Sequence, residues 1–404
     1  MYNIAIALYA FVVRLVSPFN KKAKMMLAGQ KKTFPLLEKA IDKDAAYIWF
    51  HAASLGEFEQ GRPLMEKIKK ENPEYKILLT FFSPSGYEVR KNYPGADIVC
   101  YLPFDFVGNA IRLLELARPV MAIFIKYEFW MNYLCRLKKR NIPIYIISAI
   151  FRPNQIFFRW YGKTYRKVLK NFNWFFLQDA DSEELLKKLN ISGNITISGD
   201  TRFDRVQEIC RQRKAIAPID KFRANVPANS FTLVAGSVWE KDEAIILPYF
   251  NATPAMKLII VPHEVDEEHL NAIISKLERP FVRYSQVLAG EIPNASCLII
   301  DCIGLLSSIY PYGDVAYIGG GFGAGIHNIL EAAVYGIPVL FGPNHHKFRE
   351  AGELIRCGGG FSIAGAEIFA ERMNEFSTRT SLLQEAGKRA EEYVRQNLGA
   401  TNII

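Results

Sequence analysis

Two carboxylates and a glycine-rich loop are the groups best spaced for chemistry. Glu57 lies in "HAASLGEFEQGRP" (51–63), where a β-like run ends at His51 and small residues, Ala52, Ala53, Ser54 and Gly56, lead into a helical pattern. Glu128 lies in "IKYEFWMN" (125–132), directly after a second apolar run and among aromatic residues. A carboxylate buried in such surroundings costs free energy unless it is paired or hydrogen-bonded. Two acids at two strand ends suit a general base and a group that orients it. The plainer reading of Glu128 is a helix N-terminal acid favoured by the dipole. A third strand end, "TFFSPSGYEV" (80–89), carries Ser83, Ser85 and Gly86.

The second half offers a different chemistry. "YIGGGFGAGIHNILEAAVYGIPVLFGP" (317–343) reads strand, glycine loop, helix, strand. Gly320, Gly321 and their neighbours allow close backbone approach, and a helix opening near His327 and Asn328 would offer N–H groups to a phosphate. Glu331, about one turn in, could accept from a ribose diol. The spacing is not GxGxxG with an acid some twenty residues on, which argues against a nicotinamide site. "VAGSVWEKDEAII" (234–246) puts Ser237 at another strand end, as a ligand or a helix cap. "VPHEVDEEH" (261–269) puts His263 at a third.

These groups need a scaffold that presents strand ends. From residue 45 the chain alternates short apolar runs, "AYIWFHA", "YKILLTFF", "DIVCYLPF", "VMAIFIK", "IPIYIISA", "NWFFLQ" and "ITISG", with helical patterns. Continuous apolar strands with helical crossovers predict a parallel sheet covered on both faces. Residues 205–229 are polar and Pro-containing and read as a linker. The alternation resumes with "FTLVAGS", "MKLIIVPHE", "SCLIID", "DVAYIGG" and "IPVLFGP". The domains expected are therefore 25–204 and 230–375, both doubly wound, facing a central cleft at the C-terminal edges of their sheets. Residues 376–404 read as a helix packing back toward the first domain.

Composition narrows the partners. The chain has 404 residues and a net charge of +9. Residues 1–200 hold 30 Lys and Arg against 18 Asp and Glu, while 201–404 hold 20 against 23. A basic half meets polyanions, and without an RNA-type aromatic motif or zinc finger, nucleic acid is not the partner expected. Six scattered cysteines form no CxxC and lie at no metal-ligand spacing, so reduced thiols and no metal are expected. Asp179-x-Asp181 superficially matches a metal-binding DxD, but a helix cap explains it. Residues 1–24 are apolar for about sixteen residues and then basic at Lys21, Lys22 and Lys24. That is short of the roughly 20 residues of a span, and it reads as an anchor or interfacial helix on anionic lipid. A core helix is the alternative.

Seven stretches in order, "HAASLGEFEQGRPL", "TFFSPSGYEV", "YLPFDF…ARPVMAIFIKYEFWMN", "SGDTRFDRV", "AGSVWEKDE", "DCIGLLSSIY" and "GGGFGAGIHNILEAAVYGIPVLFGPNHHKF", resemble the 3-deoxy-D-manno-octulosonic acid (Kdo) transferase family. The resemblance covers most of residues 45–400. It implies a GT-B fold, CMP-Kdo as the donor, a lipid A precursor as the acceptor, no cofactor, and work as a monomer at the cytoplasmic face of the bacterial inner membrane. It implies Glu57 as catalytic base and Glu128 as the second acid. It places Ser54, Gly56, Arg62, Ser83 and Ser85 on the acceptor side. Ser237, His263, Gly304, Gly320, Gly321, Asn328 and Glu331 fall on the donor side. The chain departs from the family pattern at Lys126, Met131, His263 and Leu305, where an acid, a proline, an arginine and an acid are usual. Neutral His is a weaker anion ligand than an arginine fork. The alternatives are another GT-B glycosyltransferase, a nucleotide-sugar epimerase, or a non-catalytic membrane scaffold.

Overall fold

Each apolar run becomes a strand because its β-branched and aromatic residues bury both faces. The computed structural model describes residues 2–224, 230–290 and 294–404. Two compact units emerge, one of Met1–Arg205 with Leu398–Ile404, the other of Val206–Asn397. The first holds β1 (Tyr47–Ala52), β2 (Lys76–Phe81), β3 (Ile98–Tyr101), β4 (Met121–Ile125), β5 (Ile144–Ala149), β6 (Trp174–Leu177) and β7 (Ile195–Ile197). All pair in parallel, in the order β3-β2-β1-β4-β5-β6-β7. Alternate residues of β1 show why both faces are apolar. Tyr47 and Trp49 join one core and Ile48, Phe50 and Ala52 the other.

The second unit holds β8 (Phe231–Val238), β9 (Met256–Pro262), β10 (Phe281–Arg283), β11 (Cys297–Ile299), β12 (Val315–Ile318), β13 (Val339–Phe341) and β14 (Gly360–Ser362). Its order is β10-β11-β9-β8-β12-β13-β14, again parallel. The sequence reading lacks β10 and β14. Each has three residues, too few for a periodic signal.

Four helices frame the first site: α1 (Tyr2–Val16), α2 (Lys21–Ala40), α3 (Leu55–Glu71) and α4 (Pro84–Arg90). The expected 1–24 segment is not a separate element. Its boundary falls inside α2, and Ala10 and Val13 of α1 pack with Met26, Tyr101 and Phe104. The Tyr2 hydroxyl donates to Asp105 at 2.6 Å. The expected linker also differs. Residues Thr201–Arg211 and Ala217–Ala224 are helical, and Pro218, Ile219 and Phe222 are buried, so the polar residues there mark exposed helix faces; residues 225–229 lie outside the described residues. Of the tail, Thr380–Gln396 is helical and belongs to the second unit. Leu398–Ile404 belong to the first, where the Gly399 and Thr401 amides donate to Asp204 at 2.7 Å each.

Close packing between β8 and β12 makes glycine obligatory at one point. A Cβ on Gly319 would lie 2.1 Å from the Ser237 carbonyl oxygen, while one on Gly323 would meet only the Gly320 oxygen at 3.5 Å. Gly319→Ala is expected to cost about 1–3 kcal/mol in urea unfolding. Gly323→Ala should stay within about 0.5 kcal/mol. Equal losses would contradict this packing.

Candidate functional site

In the first sheet the strand order reverses between β1 and β4, and open α/β sheets bind ligands beyond the C-terminal strand ends at such a place. Glu57 follows β1 and Glu128 follows β4, so the fold delivers both acids to one place. Glu57 is in the first turn of α3. Its Oε2 accepts from the Ser54 amide at 2.9 Å and the Ser54 hydroxyl at 3.2 Å. This is helix capping, which the sequence reading overlooked for Glu57, and it fixes the carboxylate with Oε2 occupied. Among the described residues Oε1 receives no hydrogen bond. The small residues now have reasons. Ser83 donates its amide to the Ala53 carbonyl at 2.7 Å, and a Cβ on Gly86 would approach Ser54 C to 3.1 Å and the Phe81 ring to 2.3 Å. Gly56 is different, because a Cβ there would meet nothing within 4 Å. Open space lies beside the Glu57 turn.

Glu128 is buried. His51 Nε2 lies 3.0 Å from its Oε2, and Trp130 Nε1 donates to the same oxygen. The strand register builds this contact: His51 pairs with Thr80 of β2 and with Phe124 of β4. Trp49 Nε1 donates to Thr80 Oγ1 at 2.8 Å, and Thr80 Oγ1 lies 2.8 Å from His51 Nδ1. Nδ1 also lies 3.1 Å from the Thr80 carbonyl oxygen, so Thr80 holds the ring through both of its oxygens while Nε2 faces Glu128. Lys126, two residues earlier, sits at φ +66°, a strained conformation for a lysine. Burial raises the pKa of Glu57, and the Glu128 charge raises it further, against Ser54, His51 and Lys126. A carboxyl tuned upward suits a general base near neutral pH.

Other groups complete this edge. Buried Asp200 accepts from the Arg202 amide at 2.9 Å and from its guanidinium at 2.8 Å. Burial opposes ionisation there, but Arg202 prevails and holds Asp200 below its ordinary value, with Lys126 adding to it. Ser83 and Ser85 pair through their hydroxyls at 2.9 Å. Arg62 is drawn elsewhere, to Glu66 at 2.6 Å and Glu59 at 3.8 Å. The sequence reading gave no role to His51, Trp130, Asp200 or Arg202. His51 had a signal: a histidine as the penultimate residue of an all-apolar strand. Asp179 caps its own helix, accepting from the Ser182 amide at 2.7 Å. Among the described residues no three His, Cys, Asp or Glu side chains are grouped to hold a metal ion.

In the second unit the order reverses between β8 and β12. Ser237, the penultimate residue of β8, sits at φ +53° at a break in the strand register, and the Gly319 amide donates to Gly236 O at 2.9 Å. Asp242 anchors the glycine loop through the Gly320 amide at 2.9 Å and the Tyr317 hydroxyl at 2.8 Å. Gly320 needs its φ of +91°; Gly321 is pressed against Gly342, where a Cβ would come within 2.6 Å. The helix expected after this loop is one turn, Leu330–Ala333, because Gly336 ends it, so its dipole is slight. Asn328 Nδ2 donates to Glu331 at 3.0 Å. His263 stacks on both Trp239 and His327, with ring centroids 4.3 Å and 4.5 Å away, and those two rings lie side by side, Trp239 Nε1 donating to His327 Nε2 at 3.3 Å. Burial lowers the pKa of both histidines, His327 further through His263, so both are neutral at pH 7. Gly304, at φ +96°, lies in the loop after β11.

Residues 24–205 match the family model described as 3-deoxy-D-manno-octulosonic-acid transferase (kdotransferase). A relative of that name from Aquifex aeolicus is 28% identical over 356 residues, covering 85% of this chain and 89% of the relative. One from Haemophilus influenzae is 27% identical over 373 residues, covering 87% and 84%. Among solved structures, UDP-GlcNAc 2-epimerase from Neisseria meningitidis superposes with a TM-score of 0.59 at 16% identity, over 87% of this chain and 99% of that one. That likeness shows the fold alone, two Rossmann-like domains of the GT-B class.

A carboxyl whose pKa is raised by folding binds its proton more tightly in the fold than in the unfolded chain. Its stabilising contribution is full below the unfolded value and is lost as pH rises through the folded one. Glu57→Gln removes that loss. The variant is expected to gain melting temperature relative to the parent at pH 8 compared with pH 4. A difference independent of pH would contradict the raised pKa.

Proposed function

Because the chain belongs to the Kdo transferase family of glycosyltransferases, we propose that it transfers Kdo from CMP-Kdo to a lipid A precursor during lipopolysaccharide core synthesis. Glu57 is the general base. Its Oε1 takes the proton of an acceptor sugar hydroxyl. The freed oxygen attacks the anomeric carbon of Kdo from the side opposite the phosphate, the bond to the phosphate oxygen breaks, and CMP leaves with inversion. The observation that carries this reading is the carboxylate pair at the β1–β4 switch point, with Glu57 capped through one oxygen and open space beside Gly56. Glu128, held by His51 and Trp130, raises the pKa of Glu57 and so keeps it basic. Ser54, Ser83 and Ser85 lie on the acceptor side.

The donor binds the second unit. In this reading the loops at Gly304 and Gly321 and the Ser237 strand end face the phosphate and stabilise charge as the bond breaks, while Gly320, its own amide bound by Asp242, shapes the loop. The helix dipole contributes little, since the helix has one turn. Glu331, steadied by Asn328, takes the ribose hydroxyls. His263, neutral in its stack, contributes hydrogen bonding and ring contact where the family uses a cation. CMP-Kdo is a substrate and no cofactor enters the scheme.

The acceptor is met at a membrane surface. Around α1, Ile4, Leu8, Phe11, Leu15 and the following Phe19 form an exposed apolar face, and Phe19 is 92% exposed. Among the described residues no single helix is long and apolar enough to cross a membrane, and the chain bends by 118° between α1 and α2. In this reading the segment lies on the anionic cytoplasmic leaflet, its lysines near the headgroups. The chain acts there as a monomer.

The test is transfer from CMP-Kdo to a lipid A precursor, with the product counted by mass spectrometry. Glu57→Gln should lose about 10²–10⁴-fold in turnover and keep its CMP affinity. Glu331→Ala should weaken CMP binding by about 1.5–3 kcal/mol. Parent-like turnover in Glu57→Gln would remove it as the base, and turnover of UDP-GlcNAc in place of CMP-Kdo would favour epimerase chemistry.

A further inference from the structure

We propose that the groove between α1 and α2 holds an acyl chain of the acceptor and leads its sugar end to the Glu57 turn. The proposal rests on the acceptor reading above. The α1 wall is Tyr9, Val12, Val13 and Val16, at the i, i+3, i+4, i+7 spacing of one helix face. Ala23 and Met26 of α2 face it, and Phe82, Ser83 and Pro84 close one end. The groove encloses about 310 Å³, at the small end of ligand pockets. Its walls are apolar except at the ends, which suits a single unbranched tail.

The closed end connects to the chemistry. The Phe82 ring lies 4.7 Å from the Trp130 ring, and Trp130 donates to Glu128. Ser83 is hydrogen-bonded to Ala53 at 2.7 Å, in the turn that presents Glu57. A chain lying in the groove thus points its polar end toward the two carboxylates. The other end is basic: Lys22 lines the groove, and Lys21 and Lys24 share its helix turn. An occupant of this shape is apolar along its length and polar at the end beside Ser83, the chemistry of an acyl chain on a sugar. A bilayer lipid shares the tail. The contact of the groove with the carboxylate pair favours the acceptor. The bilayer has the exposed α1 face of Ile4, Leu8, Phe11 and Leu15 for itself.

Val12 and Val16 are partly exposed on the groove wall, so a larger apolar side chain fits the fold and fills the groove. KM is measured for the acylated precursor and for its deacylated, still phosphorylated sugar, in detergent, with Val12→Trp and Val16→Trp. The ratio of the two KM values should rise about tenfold, the effect of losing roughly two buried methylenes. Leu8→Trp, on the exposed face, should leave the ratio alone. Sedimentation with anionic phosphatidylglycerol vesicles should show Val12→Trp bound as well as the parent, since the change is apolar. An unchanged ratio in both groove variants overturns the proposal. Weaker vesicle binding by Val12→Trp also overturns it, because the groove then holds bilayer lipid. No transfer by the parent to either acceptor overturns the acceptor reading, and this assignment with it.

Discussion

Two like charges held at one sheet edge are the constraint on which the rest of the first unit depends. Glu57 and Glu128 repel, and burial penalises both, so the pair survives only because donors are built around it. Glu57 takes its donors from its own helix turn. Glu128 takes them from His51 and Trp130, and His51 is aimed by Thr80, which accepts from Trp49. That chain crosses two neighbouring strands in register, so a one-residue slip would turn His51 to the opposite face. The geometry of the carboxylate pair is thus inseparable from the parallel sheet and from the packing of Trp49 against Phe124 and Tyr133.

The second unit meets a different demand with the same topology. At the β8–β12 switch point the loops touch backbone to backbone, the close approach that the proposed phosphate site would use. Ser237 is held there at φ +53°, and Gly320 takes φ +91°, which glycine adopts without strain. Asp242 holds the loop from behind with two hydrogen bonds. Charge is used sparingly on this side: His263 packs on the paired rings of Trp239 and His327, and burial lowers the pKa of both histidines.

Much of this was legible in the sequence because it rests on local periodicity. All seven apolar runs of the first half and all five of the second are strands, and Glu57, Glu128, Ser237 and the glycine loop sit at their ends. The three-residue edge strands Phe281–Arg283 and Gly360–Ser362 carry no periodic signal. The polar stretch after residue 205 read as a linker because amphipathic surface helices expose most of their residues to water. The His51–Thr80 contact joins residues 29 positions apart, and only strand register brings them together. Arg62 follows the acids of α3 and not the site, since two carboxylates one turn away outcompete a distant ligand. Gly321 looks like a ligand glycine in sequence, but contact with Gly342 is reason enough for it.

The pH dependence of kcat/KM for Kdo transfer probes the carboxylate pair most directly. In the parent, activity should fall as pH drops through a pKa above the ordinary carboxylate range, because Glu57 must be ionised to act and both burial and Glu128 raise its pKa. Glu128→Gln keeps the shape and removes the neighbouring charge, so it should move that fall to lower pH. An acidic limb that stays in place in Glu128→Gln would contradict the account, since Glu128 would then not be setting the basicity of Glu57.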